Sequence, residues 1–433
     1  MASPRFEKQK APRGTQDILP EDSRIRQLIE YTALQVFSSA GFDEISTPIF
    51  ESTNLFSRAV GEDTDIVHKE MYTFKDRSDR SLTLRPEGTA GLVRSFIENA
   101  MDRAAKPVKL WYRGPMFRYE RPQAGRYRQF TQIGVEAFGI KPPYIDLEVI
   151  NLAWMILENL GFENLTLYIN SLGTRETRQN YKAVLKEFLK PLQSKVCDDC
   201  KRRYEENPLR ALDCKVPEDK ELYKNAPDIL GSLDSSSKKI WEETKSGLEA
   251  LDIKYKVDPK LVRGLDYYDH FVFEIKANDP VLGQQSTVLA GGRYDHLVED
   301  LGSKPCPAVG WALGIERLVL LIKERAKNLG TEKEPKYGIY IVSDDVLESS
   351  KLAMEIRDSF AFSVPVNYDF EAAKISKQIE KALKQNARFV IFYLEEERKN
   401  GKFKLKDLDL EKEFGDLDLD QLYEKIEELA SQT

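Results

Sequence analysis

The chain has 433 residues, 41% of them hydrophobic and 32% charged, with 65 lysines and arginines against 72 aspartates and glutamates for a formal charge of -7. This composition indicates a globular protein of two or three domains and excludes low-complexity or collagen-like chains, and no apolar run approaches the ~20 residues that span a bilayer. Net negative charge excludes nucleic-acid binding driven by bulk electrostatics, so such contacts must come from local patches; four cysteines in this length fit a reducing compartment.

In chain order, MASPRFEKQKAPRG is basic but lacks the apolar stretch of a secretory signal, so a cytoplasmic location is the expectation. DILPEDSRIRQLIEYTALQVFSSAG spaces Ile25, Leu28, Ile29, Ala33, Val36 and Phe37 at helical intervals, with Asp22 or Ser23 as cap and Gly41 as stop. EISTPIFES reads as a strand containing Pro48, which places it at an edge or interface. LTLRPEGTAGLVRSFIEN is a strand, a turn at Pro86–Gly88 and a helix. Residues 109 to 120 and 126 to 138 are strand-like and joined by RPQAG, an antiparallel hairpin.

From 171 to 258 strand signals fade, charge rises and helical stretches alternate with loops, which predicts a mainly helical insertion. Within it VCDDCKRRYEENPLRALDCK sets Cys197, Cys200 and Cys214 close together. A structural zinc usually takes four ligands; Cys306 is about a hundred residues away and the chain has only three histidines, so the trio reads as ordinary thiols and no zinc is expected. YYDHFVFEIKA and STVLAGGRYDHLV return to strand, and AVGWALGIERLVLLIKERA is a strand running into an amphipathic helix. EKEPK at 332 to 336 is a polar linker, and after it alternating strands and helices predict a separate small α/β domain.

The stretch RGPMFRYERPQAGRYR, residues 113 to 128, holds five arginines around Glu120. Strand parity puts Arg118 with Glu120, and Arg126, Arg128, Phe130, Gln132 and Glu136 together. One reading is a solvated sheet face. The other is a phosphate clamp, since the planar guanidinium fork matches phosphate oxygens while Gln132 and Glu136 suit neutral and cationic groups. Arg263, Tyr267 and Tyr268 in LVRGLDYY, and Arg293 and Tyr294 in AGGRYD, form a second polar cluster; the tyrosines fit either the core or the edge of a flat polar ring. Arg317 at a helix start opposes the helix dipole and calls for an anionic partner. GxxxxGK[ST], GxGxxG after a strand and any nucleophile motif beside His68, His270 or His296 are absent from the sequence.

With GTQDILP, TPIFESTNLFSRAVGEDTDIVHKEMYTF, LRPEGT, FRYERPQAGRYRQFTQ, RGLDYY, AGGRYD and AVGWALGIERL in this order, the chain resembles the histidyl-tRNA synthetases of class II along nearly its whole length. FRYER resembles motif 2, GIERL motif 3, the segment around Pro48 the dimer-forming motif 1, and RGLDYY and AGGRYD the two signatures special to histidine enzymes. The resemblance implies an α+β fold: an antiparallel sheet of six to seven strands as catalytic core, residues 1–170 and 259–330, a helical insertion at 171–258 and an anticodon-binding α/β domain at 331–433. It implies a homodimeric ligase joining L-histidine to tRNA(His), with ATP as substrate, Mg²⁺ without a dedicated protein ligand, and no membrane association.

Carried over by motif position, Arg118 holds the ATP α-phosphate, Arg126 the γ-phosphate, Glu120 the adenine side, and Arg317 the nucleotide from the other side. Glu87, Gly88, Thr89, Gln132 and Glu136 surround the histidine amino group and ring, Arg263 meets the reacting carboxylate and α-phosphate, and Tyr267, Tyr268 and Tyr294 hold the imidazole. Tyr119, Thr131 and Asp269–Phe271 depart from the usual family residues. In the last domain Lys374, Lys377, Lys381, Lys384 and Arg388 are either tRNA contacts or a solvated basic face. Two relatives without ligase activity compete. A histidine-binding regulatory subunit of ATP phosphoribosyltransferase usually lacks motif arginines and the last domain, both kept here, and a sensor of uncharged tRNA belongs to a longer chain with a kinase domain.

Overall fold

The computed structural model describes residues 9–282, 286–329, 338–361 and 363–431; the first eight residues and the linker expected at 332 to 336 lie outside them. The chain forms two compact units, Met1–Arg325 and Ala326–Thr433.

In the first unit the strands are β1 (Asp43–Glu44), β2 (Phe50–Ser52), β3 (Tyr72–Lys75), β4 (Ser81–Leu84), β5 (Val108–Phe117), β6 (Gln129–Phe138), β7 (Leu165–Gly173), β8 (Tyr255–Val257), β9 (Asp269–Ala277), β10 (Thr287–Arg293) and β11 (Ala308–Gly314). β2, β4 and β3 form a small antiparallel sheet, and the rest a large one in the order β1-β5-β6-β11-β10-β9-β7-β8. Its six inner strands pair antiparallel throughout, while the short edges β1 and β8 lie parallel to their neighbours.

Side-chain alternation makes the two faces of this sheet unlike. On one, Trp111, Val135, Trp311 and Phe273 join Phe37 and Ile156 of the helices Pro20–Ser39 and Tyr144–Asn159 in a buried cluster. The Phe37 ring lies 5.2 Å from that of Trp111 and 5.9 Å from that of Trp311, whose indole N–H donates to the Val149 carbonyl at 2.6 Å. On the other face Ala290 and Ala312 leave a trough beside the Glu274 carboxylate, while the Tyr112 ring covers Gly134, the Tyr268 ring packs against Gly292 and the Glu136 carboxylate lies over Gly310. Helices Arg175–Leu189, Asp198–Glu206, Pro217–Leu222 and Ser235–Ala250 fall between β7 and β8. Leu185, Cys200 and Tyr223 from this segment share an apolar cluster with Tyr112 and Tyr268 beside the trough.

Local differences from the sequence expectations have physical causes. The first helix begins at Pro20 with Leu19 as cap, because proline at the first position has no N–H to satisfy and its φ suits a helix. EISTPIFES holds only the last residue of β1 and all of β2, with residues 45–49, Pro48 among them, outside any strand; there the Thr47 carbonyl accepts the Arg85 guanidinium at 2.9 Å instead of a strand partner. The hairpin strands stop at Phe117 and start again at Gln129, since Gln123 and Arg126 bond each other's backbones and close residues 118–128 into a loop. Arg118, Glu120, Arg126 and Arg128 therefore stand beyond the strand ends, where face parity does not apply.

The second unit has strands β12 (Ile339–Val342), β13 (Val366–Tyr368), β14 (Phe389–Phe392), β15 (Phe403–Asp407) and β16 (Lys412–Leu417) in the order β13-β12-β14-β15-β16, the first three parallel and the last two antiparallel. β12 is buried at every position, which accounts for its unbroken IYIV run. β16 was not expected: KEFGDL is a largely exposed edge strand whose charges mask any alternation. On the basic stretch, Lys381 pairs with Asp369 at 2.5 Å and Lys384 with Glu380 at 2.6 Å. Arg388 is buried, facing Asp407 at 3.5 Å and donating to the Leu429 carbonyl, so it is no part of a solvated basic face.

Candidate active site

The trough opens into a cavity of about 310 Å³. On one side of it Arg118, Arg126 and Arg317 come together from the end of β5, the 118–128 loop and the helix Ile315–Asn328. Arg118 is fixed by donating to the Pro86 carbonyl at 2.8 Å and lies 5.3 Å from the Phe130 ring centre. Arg126 pairs with Glu120, which also stands 3.9 Å from Arg118. Arg317 donates to the Thr287 carbonyl. Among the described residues no carboxylate lies within ion-pair distance of it. Burial, then Arg126 and Arg118, push its pKa down to about 10. Gathering like charges in a partly desolvated pocket is unfavourable unless a polyanion enters.

Arg263 lines the same cavity and pairs with Glu274, whose other oxygen accepts from Thr287 Oγ1 at 2.9 Å. Burial works against the Arg263 charge, but Glu274 outweighs it and holds the pKa above the ordinary value. A charged, tightly held guanidinium is the result.

Next to these cations are two buried carboxyls. Glu87 accepts the backbone N–H groups of Thr89 and Ala90, each at 2.8 Å, at the start of the helix Thr89–Glu98, and Tyr267 donates to it at 3.4 Å. Burial raises its pKa. Glu136 is 1% exposed and accepts from Thr89 Oγ1 at 2.6 Å and from the Tyr294 hydroxyl. On β6 it lies directly opposite Gly310 of β11, where any Cβ would run into the Glu136 carboxylate and the Val135 carbonyl, so glycine is required there. The rings of Tyr267 and Tyr294 stand 5.6 Å apart, and those of Tyr267 and Tyr268 4.6 Å. Among the described residues, Gln132 Oε1 and the Tyr112 hydroxyl are buried without a hydrogen-bond partner. Each such orphan costs ~1–3 kcal/mol and favours a polar ligand.

Burial pushes the Glu136 pKa from 4.5 up to about 8, against the pull of its hydrogen bonds from Thr89 and Tyr294 and with a further push from Glu87. Between those values the fold keeps a proton that the unfolded chain has lost, so this group makes stability fall as pH rises through that window. The full effect is on the order of 5 kcal/mol. Glu136→Gln should therefore be more stable than the parent at pH 8 and close to it at pH 5, as measured by denaturant unfolding. Parallel pH dependence in the two proteins would show that Glu136 does not carry this titration.

Of the residues expected at a site, Glu87, Thr89, Arg118, Glu120, Arg126, Gln132, Arg263, Tyr267, Tyr268 and Arg317 line the cavity. Glu136 and Tyr294 stand behind Thr89, and Gly88 packs against the Tyr112 ring. Arg293 is elsewhere: fully buried, it pairs with Asp146 at 2.7 Å and Asp295 at 3.0 Å and donates to the Ile140 carbonyl. Parity on β10 puts it with Leu289, on the helix-covered face. Arg128 also turns away, stacking 3.7 Å from the Tyr119 ring centre.

Sequence reasoning missed the wall residues Tyr112, Glu274, Asp213 and Lys215. Glu274 had a signal, as the polar member of an alternation in which Phe271, Phe273 and Ile275 face the core. Asp213 and Lys215, from the inserted segment, had none. Near them Cys197, Cys200 and Cys214 meet a fourth donor, Asp219, with all four ligand atoms within 4.8 Å of one another.

A family model described as histidyl-tRNA synthetase matches residues 14–318, and one described as anticodon binding domain matches 338–429. A histidine–tRNA ligase of Thermosynechococcus vestitus is 46% identical over 399 residues, covering 92% of this chain and 91% of its own. The histidine–tRNA ligase of Bacillus subtilis is 46% identical over 398 residues, covering 92% and 93%. The crystal structure of the apo histidyl-tRNA synthetase of S. aureus superposes with a TM-score of 0.77 at 38% identity, covering 96% of this chain and 99% of that one.

Proposed function

We propose a function that follows from the family, for this chain belongs to the histidyl-tRNA synthetases. It is a ligase that activates L-histidine with ATP and transfers the histidyl group to tRNA(His), releasing AMP and pyrophosphate. The observation carrying the assignment to this cavity is the convergence of Arg118, Arg126, Arg263 and Arg317 on one space that also holds buried carboxyls.

In this reading Arg118 binds the ATP α-phosphate, Arg126 the γ-phosphate, Arg317 the nucleotide from the other side, and Glu120 the adenine side. Glu87, Gly88, Thr89, Gln132 and Glu136 surround the amino group and ring of histidine, and Tyr267, Tyr268 and Tyr294 hold the imidazole. Arg263 meets both the reacting carboxylate and the α-phosphate. The ionised carboxylate attacks the α-phosphorus in line and pyrophosphate leaves, so no general base is needed. The protein's part is positioning and neutralisation of charge. A terminal ribose hydroxyl of the tRNA then attacks the acyl carbon and AMP departs. Mg²⁺ bound with the triphosphate would neutralise charge on the departing pyrophosphate. The wall carboxylates Glu120 and Glu274 are taken by Arg126 and Arg263, so neither is assigned as its ligand. Hydrogen bonds to the imidazole give the selectivity, since a site left with unpaired polar groups rejects analogues strongly.

We assign residues 1–170 and 259–330 to catalysis, 171–258 to an insertion and 331–433 to the anticodon. A homodimer is supported by the exposed apolar side chains Ile49, Phe50 and Phe74 around the small sheet. The assigned location is the cytoplasm; no helix among the described residues is long and apolar enough to cross a membrane. The test is charging of bulk tRNA with labelled histidine and ATP. Acid-precipitable histidine that disappears without ATP is expected, and its absence with refolded tRNA would overturn the assignment.

A further inference from the structure

The three cysteines of the inserted segment are set up to share one ion. Cys197 precedes and Cys200 belongs to the first turn of the helix Asp198–Glu206, where the helix dipole favours anionic sulfur. Cys214 follows the helical turn Pro208–Asp213, and Asp219 sits in the first turn of the helix Pro217–Leu222. Cys197 Sγ and Cys214 Sγ are 3.9 Å apart, and Cys214 Sγ and Asp219 Oδ2 3.3 Å. Tetrahedral zinc with bonds of ~2.3 Å to sulfur and ~2.0–2.2 Å to oxygen has ligand-to-ligand edges of roughly 3.8 and 3.5 Å, close to both. A disulfide, by contrast, needs sulfurs at ~2.05 Å. Cys200, Cys214 and Asp219 are buried, which is unusual for a carboxylate without a cation. Outer partners are in place as well: the Cys197 N–H donates to Asp219 at 3.1 Å and the Val216 N–H to the Cys214 sulfur at 3.4 Å.

We propose that Cys197, Cys200, Cys214 and Asp219 form a structural zinc site that fixes one wall of the active-site cavity. Zinc displaces the three thiol protons to solvent and is held by three thiolates and one carboxylate, a closed set with no position left for substrate. The knot joins two helices to the segment between them, and the residues flanking Cys214, Asp213 and Lys215, are the ones that line the cavity. In the same segment Arg210 donates to the Gly264 carbonyl at 3.0 Å, next to Arg263. The sequence alone lacked the fourth ligand because Asp219 is one acidic residue among many; the fold selects it.

The full-length protein, purified in reducing buffer, should contain one zinc per chain by elemental mass spectrometry. After metal removal, cobalt(II) should produce thiolate-to-cobalt charge-transfer absorption and the visible bands of a tetrahedral ion. Cys200→Ser should lose the zinc, Asp219→Asn should release it to a chelator about tenfold faster or more, and Cys306→Ser should keep it. The wild-type measurements stand even if Cys200→Ser fails to fold. Zinc at background level in a folded protein, with no cobalt–thiolate absorption, would overturn the proposal, whether the thiols then prove free or paired in a disulfide. None of these readings depends on ligase activity.

Discussion

Arg263→Ala should lower histidine-dependent pyrophosphate exchange by about two to three orders of magnitude, the ~2.7–4 kcal/mol that one fixed donor to a developing charge supplies. Arg263 is assigned the place where the carboxylate and the α-phosphate, both anionic, must approach each other. Glu274 holds the guanidinium there, and its charge is secured against burial. Lysine should not restore activity, because a point charge cannot span two partners as the planar fork does. The substitution also leaves Glu274 buried without its main partner, so some stability is lost. Arg263→Ala with Glu274→Gln separates the two effects: stability should recover and exchange should not. Exchange within a few-fold of wild type for Arg263→Ala would refute its assigned role, as would recovery of exchange in the double variant.

Arg317→Met should act in opposite directions on stability and function. Four guanidiniums gather around the cavity, and burial, Arg126 and Arg118 pull the pKa of Arg317 down to about 10. Removing it relieves that repulsion while methionine keeps much of the packing, for a gain of ~1–3 kcal/mol in the free protein. The same change should cut kcat/KM for ATP by about a hundredfold or more, since the triphosphate loses one wall of its clamp. ATP should correspondingly protect the wild type against thermal unfolding more than the variant. Thermal melts with and without ATP, set beside exchange kinetics, check both halves. A variant that is destabilised and still saturates normally with ATP would mean that Arg317 is a structural residue.

The chemistry was legible where it is written in short ordered motifs, and the sheet where alternation is strict. From Phe273 onward β9 alternates apolar Phe273, Ile275 and Ala277 with polar Glu274 and Lys276, and the wholly buried β12 shows itself as an apolar run. Parity failed where the strand had already ended. Arg126 and Arg128 share a face with Gln132 only if β6 is extended backwards through a loop, and Arg128 in fact stacks on Tyr119. Arg293 beside two glycines looked like a ligand residue, yet its partner Asp146 lies 147 positions earlier in the chain, a pairing no local pattern reveals. Asp213, Lys215 and Asp219 reach their places only because the inserted helices pack beside the trough. In each of these cases the missing information was tertiary.

Pyrophosphate exchange into ATP, measured with each standard amino acid in turn and without tRNA, tests the central claim most directly. Histidine alone should support exchange, showing that the cavity forms an adenylate and selects the ring. Histidine binding without exchange, or exchange with another amino acid at comparable rates, would contradict the account of the arginine clamp or of the buried carboxyls and tyrosines beside it.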